Sequence, residues 1–145
     1  MPLTRRAILL GALAAPLPAR AFLHRAAFDG PTLAAPEALE RVRAGTLTLV
    51  DIRRPDEWRR TGVPEGAWAI DMRRPDFAAA VLQAAGGDPS RPVALICARG
   101  VRSARVAALL DAEGFGAVLD VPEGMLGSAA GPGWLARGLP VRAAD

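Results

Sequence analysis

Apolar runs too short to be helices recur along this chain, each followed by a segment with helix start and stop signals, and that order narrows the fold to one class. Leu47-Thr48-Leu49-Val50-Asp51-Ile52, Pro92-Val93-Ala94-Leu95-Ile96 and Ala117-Val118-Leu119-Asp120-Val121 read as buried strands, with a briefer one at Gly66-Ala67-Trp68-Ala69-Ile70. Between them, Pro36 to Val42, Pro55 to Arg60, Pro75 to Ala85 and Ser103 to Glu113 read as helices, with Gly45, Gly86-Gly87 and Gly114 as stop signals. No tight hairpin signal separates neighbouring strands. The expectation is an α/β domain whose mostly parallel sheet is linked by right-handed crossovers and covered by helices on both faces. A chain of 145 residues has room for one such domain and one core.

Residues 1–21 stand apart from this pattern. A basic start with Thr4-Arg5-Arg6, an apolar stretch from Ala7 to Leu17 and the small-residue sequence Ala19-Arg20-Ala21 follow the layout of a secretory signal. The apolar stretch is broken by Pro16 and falls short of the roughly 20 residues that span a bilayer, so a retained anchor is not expected. Arg5-Arg6 ahead of Ala7-Ile8-Leu9 resembles a twin-arginine signal, whose route exports folded proteins. The reading is a signal peptide at 1–21 cut after Ala21, a linker at 22–30 and a domain at 31–145, located in the periplasm and meeting the membrane only in transit.

Charge then excludes one class of partner. All 18 basic residues are Arg, and removing Arg5, Arg6 and Arg20 with the leader leaves 15 Arg against 15 Asp plus Glu. A near-neutral protein has no surplus charge with which to displace counterions from a polyanion, so nucleic acid is not an expected partner. One Cys and one His cannot supply a Cys/His zinc site or an intramolecular disulfide, and His24 falls in the linker. No dinucleotide fingerprint or phosphate-binding Lys motif is present, and no cofactor is expected.

What remains is one thiol. Cys97 follows the strand at Pro92 to Ile96 and precedes Ala98-Arg99-Gly100-Val101-Arg102, after which Ser103 opens the helix. In an open parallel sheet, sites gather at the carboxyl ends of the strands. A loop turning tightly into a helix aims free backbone N–H groups at one point and adds the positive end of the helix dipole, which favours an anion such as a thiolate. Gly100 permits backbone geometry that other residues resist, and Arg99 and Arg102 add guanidinium forks able to orient an oxyanion. A buried strand-end Cys is often an apolar filler, but such a filler has no need of a Gly and two Arg in the turn that follows.

In these residues the chain resembles the rhodanese family of sulfurtransferases. The resemblance covers roughly residues 31–145 and rests on Val50-Asp51-Ile52-Arg53 with Pro55-Asp56-Glu57-Trp58, on Pro64-Glu65-Gly66-Ala67 leading to Ile70, on Cys97 to Ser103, and on Gly124 with Trp134-Leu135-Ala136-Arg137-Gly138-Leu139-Pro140-Val141. It implies a three-layer α/β domain with a central parallel sheet of about five strands. It also implies transfer of sulfane sulfur, from a donor such as thiosulfate to a nucleophilic acceptor, through a persulfide on Cys97. The backbone amides of Ala98, Arg99, Gly100, Val101, Arg102 and Ser103 would hold that persulfide, with Arg102 as the loop's terminal cation. Related phosphatases and arsenate reductases carry a loop one residue longer, whereas four residues separate Cys97 from Arg102, which favours sulfur transfer. Three departures bear on substrate choice: Thr61-Gly62-Val63-Pro64-Glu65-Gly66 lacks the usual His, Arg99 is an extra loop cation, and Pro122-Glu123-Gly124-Met125 replaces a Gly-Gly pair.

Asp51 and Arg53, at the end of the first long strand, are supporting residues, expected to form hydrogen bonds and an ion pair with Glu57 or a loop amide. Trp58, Trp68 and Trp134 read as packing, and the pairs Arg53-Arg54, Arg59-Arg60 and Arg73-Arg74 as largely solvated faces. The expected partners are small sulfur-containing anions or persulfide-carrying thiols, together with a periplasmic acceptor protein. The competing reading is a non-catalytic module of the same fold that binds or senses sulfur compounds or docks a periplasmic partner.

Overall fold

The computed structural model describes residues 28–144, so the expected signal peptide, its cleavage point and most of the linker lie outside the described residues. Period-two alternation organises the centre of the fold. Along β1 (Thr48–Asp51) and β4 (Val93–Ile96) every second side chain points to the same face. Leu49, Ala94 and Ile96 therefore join one core cluster, while Val50, Val93, Leu95 and Cys97 join the other. Both faces of β4 are fully buried, which is why its sequence reads as an unbroken apolar run.

The first face is covered by α1 (Ala35–Arg43), through Ala35, Ala38 and Leu39, and by the carboxyl-terminal segment around Trp134. Trp134 is wholly buried, and its indole N–H donates to the Pro140 carbonyl at 2.9 Å, so its one polar atom is satisfied. The second face is covered by α3 (Phe77–Ala84) and α4 (Val101–Ala112), through Val81, Val106, Ala107 and Leu110. A short α2 (Pro55–Thr61) follows β1, with Pro55 in its first turn, where the missing N–H costs nothing.

The sheet runs β3-β1-β4-β5, with β3 at Trp68–Ala69 and β5 at Val118–Asp120, and every pairing is parallel. It has four strands rather than the expected five or so. The next position beyond β5 is taken by one parallel bridge from Thr32 to Asp120, because Pro31 and the turn into α1 leave no length for a strand. A separate antiparallel pair joins β2 (Val63–Pro64) to β6 (Val141–Arg142). Among the described residues no helix is long and apolar enough to cross a membrane. The register sets Asp51 against Ile96 and Leu95 against Asp120, which brings the carboxyl ends of β1, β4 and β5 together.

Candidate active site

Cys97 leaves the carboxyl end of β4 and the chain turns at once into α4, whose N-cap is Gly100. Gly100 has φ +83°, and a side chain there would collide with the Pro122 carbonyl. Only glycine meets both demands. The turn folds the chain back over its own sulfur, so that the Gly100 and Ser103 amides donate to Cys97 Sγ at 3.2 and 3.4 Å. The Ser103 hydroxyl oxygen lies 3.4 Å from the same sulfur. First-turn amides of a helix have no acceptor within it, and here one of them finds the sulfur.

The loop is braced from behind. Met125 N–H donates to the Cys97 carbonyl at 2.9 Å and Leu126 N–H to the Ala98 carbonyl at 2.8 Å, so residues 125–126 run along the loop's backbone. Gly124, at φ +65°, lets the two strands of chain approach, since a side chain there would strike Ala98. Glu123, in the segment Pro122-Glu123-Gly124-Met125, is buried: it accepts from the Ala35 and Gly133 amides at 2.7 and 2.8 Å and from Arg137 Nε at 2.8 Å. Burial alone would push its carboxyl up, but Arg137 and the two amides outweigh burial and hold it below the usual range. Since Ala34 offers no capping side chain, Glu123 supplies the acceptor at the start of α1.

The two loop arginines diverge. Arg102 reaches from α4 to α2, where Nη1 and Nη2 donate to Glu57 Oε2 and Oε1 at 2.8 and 2.6 Å. That fork holds the Glu57 carboxyl down to about 2, against burial, and Glu57 in turn raises Arg102. Arg99 is exposed and donates through Nη1 to the Gly127 carbonyl at 3.2 Å.

Asp51 and Arg53 are both buried and pair with each other, Arg53 Nη2 lying 2.7 Å from Asp51 Oδ2. Arg53 also donates to Thr61 Oγ1 and to the Gly62 carbonyl, each at 2.9 Å. The pair thus pins the end of β1 to the end of α2. Glu57, expected as its partner, is taken by Arg102.

The model of the rhodanese-like domain family matches residues 34–129. The chain belongs to the rhodanese-like family. No curated protein matches the sequence. Among solved structures, the polysulfide-sulfur transferase homodimer of Wolinella succinogenes is similar at 26% identity and TM-score 0.61, over 79% of this chain and 80% of that one. A protein from Staphylococcus saprophyticus is similar at 26% identity and TM-score 0.55, over 66% and 90% of the two chains. The thiosulfate sulfurtransferase of Pseudomonas aeruginosa shares the fold at 24% identity and TM-score 0.59, over 79% of this chain and 20% of that one.

One pairing and one residue beside the rhodanese loop escaped the reading of the sequence. Glu57 is the partner of Arg102 rather than of Arg53. Asp120 ends β5 with its carboxyl buried next to Ser103. The signal for Asp120 was present, an acid inside an apolar run two residues before Pro122, but it also reads as an ordinary strand end.

Proposed function

We propose that the protein is a sulfurtransferase that carries sulfane sulfur as a persulfide on Cys97. The observation that supports this most directly is the convergence of the Gly100 and Ser103 amides on Sγ, within a loop that leaves four residues between Cys97 and Arg102. Backbone donors aimed at one sulfur stabilise a thiolate, and the same donors serve the anionic persulfide that replaces it. Membership of the rhodanese-like family is consistent with this chemistry.

The reaction has two displacements. Cys97 thiolate attacks the outer sulfur of thiosulfate; a sulfur–sulfur bond forms to Sγ, and the bond to the sulfonate breaks with its electron pair leaving on sulfite. A nucleophilic acceptor then attacks the outer sulfur of the persulfide, and the electron pair of that bond returns to Sγ as thiolate. No base is required for either step once the thiolate exists. Cys97 is only 1% exposed, so a donor has to present a slender sulfur end to the floor of the loop. Thiosulfate and persulfide-carrying thiols have that shape. Arg102, oriented by Glu57, is the cation assigned to an anionic donor, and Asp51 with Arg53 supports the rim. Export by the twin-arginine route, for which Thr4-Arg5-Arg6 speaks, would set this chemistry in the periplasm with an acceptor protein there.

Thiocyanate formation from thiosulfate and cyanide tests the reading. Cys97→Ser is expected to keep the fold and lose the activity, because a hydroxyl is not ionised as a thiol is. Activity retained in that variant, or absent from the parent protein, contradicts the proposal; absence from the parent leaves the non-catalytic module in its place.

A further inference from the structure

Helix α4 is apolar on both of its sides. One side packs on β4 and β5 through Val106, Ala107 and Leu110, but the side turned to solvent carries Val101, Ala104, Ala108, Leu109 and Ala112, with Arg105 as the one cation among them. Residues 101, 105 and 109 are spaced four apart and form one row along the helix. Val101 is 62% exposed and Leu109 36%. Among the described residues the large exposed apolar side chains are Trp68, Val101, Leu109, Leu126 and Val141, and three of these five stand on α4 or on the segment that braces its loop. A surface helix ordinarily keeps a polar face, and one that is apolar all round is ordinarily covered.

Charge is laid out along the same face. At its start, next to the sulfur, the first turn of the helix holds no acid, Arg99 is exposed and bound to the Gly127 carbonyl, and the Arg105 side chain makes no ion pair or hydrogen bond among the described residues. Asp111 and Glu113, the acids of this segment, come at the far end, about 15 Å beyond Val101 at 1.5 Å per residue.

We propose that the solvent face of α4, with Arg99 and Arg105, is the docking surface for a protein that takes the sulfur from Cys97, and that this acceptor carries acidic and apolar side chains around its thiol. The inference rests on Cys97 carrying the persulfide. The face begins at Val101, directly after the loop glycine, so a protein seated there brings its thiol to the mouth above Cys97. The acceptor thiol gives its proton to solvent and its thiolate attacks the outer sulfur; a sulfur–sulfur bond forms on the acceptor, and the electron pair of the broken bond returns to Sγ. A second copy of this chain does not fit the role, since its one thiol is buried on the floor of its own loop. Nor does the face alone hold a stable dimer: a 12-residue helix about 18 Å long and about 10 Å across offers roughly 200 Å², where stable complexes bury about 800 Å² per partner. So small a contact suits a partner that leaves with each sulfur. Residues 1–27 carry Arg5, Arg6, Arg20 and Arg25 and no acid, the wrong charge for this face.

The test is sulfur transfer from the thiosulfate-loaded protein to two synthetic amphipathic peptides with one cysteine each, identical but for Glu or Lys on the polar face, the rate being read from the peptide's gain of one sulfur atom. The parent is expected to serve the glutamate peptide at least about tenfold faster than the lysine peptide. Arg105→Glu is expected to cut that preference at least about fivefold, and Leu109→Ser to slow both peptides about threefold or more, while both variants form thiocyanate within about twofold of the parent. Arg91→Glu makes the same change of charge at an exposed residue beyond the other end of β4, and is expected to leave the preference within about twofold. Equal rates for the two peptides in the parent, or a parent-like Arg105→Glu, overturn the inference. So does an equal loss from Arg91→Glu, because net charge and not this face would then be selecting. A parent that sediments as a dimer, dissociated by Leu109→Ser, seats a second copy on the face and overturns it too. If thiosulfate leaves the mass of the parent unchanged, the sulfurtransferase reading itself fails; a loaded persulfide with indifferent peptides sinks only the docking surface.

Discussion

Arg102 and Glu57 meet as a two-pronged ion pair, Nη1 and Nη2 lying 2.8 and 2.6 Å from the two carboxylate oxygens, and so tie the helix that follows the cysteine loop to the helix that follows β1. Planar forks of this kind fix direction as well as distance. Glu57 also accepts from the Arg54 amide at 3.1 Å, which anchors the carboxylate to the start of its own helix. The loop cation is therefore held before any donor arrives.

That pair makes stability depend on acid. The Glu57 carboxyl lies at about 2 in the folded chain, below its ordinary value of 4.5, so its contribution is present above about pH 4.5 and is lost as pH falls through 2. The shift corresponds to at most about 3 kcal/mol, and to less in practice because a third of the Arg102 side chain is solvated. Urea unfolding of Glu57→Gln should show a loss of up to that size near pH 7, and parent and variant should converge toward pH 2.

Kinetics separate the two loop arginines. Arg102→Lys keeps the charge but gives up the fork to Glu57, and kcat/KM for thiosulfate is expected to fall about tenfold or more, equivalent to about 1.4 kcal/mol. Arg99→Ala removes an exposed side chain bound to one carbonyl, and a change of less than about twofold is expected. Steady-state rates with thiosulfate and with an uncharged persulfide donor decide the matter. A parent-like Arg102→Lys with thiosulfate would make Arg102 structural only, and a damaged Arg99→Ala would move the donor-binding role to Arg99.

Much of this arrangement was legible in the chain. The unbroken apolar run at 92–96, then Cys97, then a glycine ahead of a helical pattern, announced a strand, a tight turn and an amide cradle, because each signal is local. The helix starts two residues earlier than read, at Val101, since Gly100 already provides the cap. In α3 the opposite occurs: Pro75 suggested the start, but residues 75–76 form a turn and the helix begins at Phe77. The β2 and β6 pair was not foreseen, because two residues carry no periodicity and their pairing joins Val63 to Arg142, far away in sequence. The same non-locality hid Glu57: among many acids and arginines, spacing along the chain does not say which pair the fold will bring together.

Gly100 is the position where backbone shape alone should matter. Gly100→Ala forces a side chain into a left-handed conformation and against the Pro122 carbonyl. The expected cost is about 2 kcal/mol or more, with sulfur transfer reduced further than stability, because displacing this residue moves an amide off the sulfur. Denaturation and thiocyanate assays on the same preparation measure both.

The export proposal rests on Arg5-Arg6. Replacing both with lysine keeps the charge and removes the guanidinium pair, so a twin-arginine route should fail where a general secretory route would not. Fractionation should find the double variant inside the cell and the parent in the periplasm, with a mature chain that begins at Phe22. Equal periplasmic levels would overturn the route, and a parent chain still carrying Arg5 would overturn cleavage.

The central claim, that Cys97 carries the transferred sulfur, is tested most directly by the intact mass of the protein after exposure to thiosulfate. The account predicts a species one sulfur atom heavier, returned to the starting mass by cyanide and missing from Cys97→Ser. An unchanged mass in the parent, or the same gain in Cys97→Ser, would contradict it.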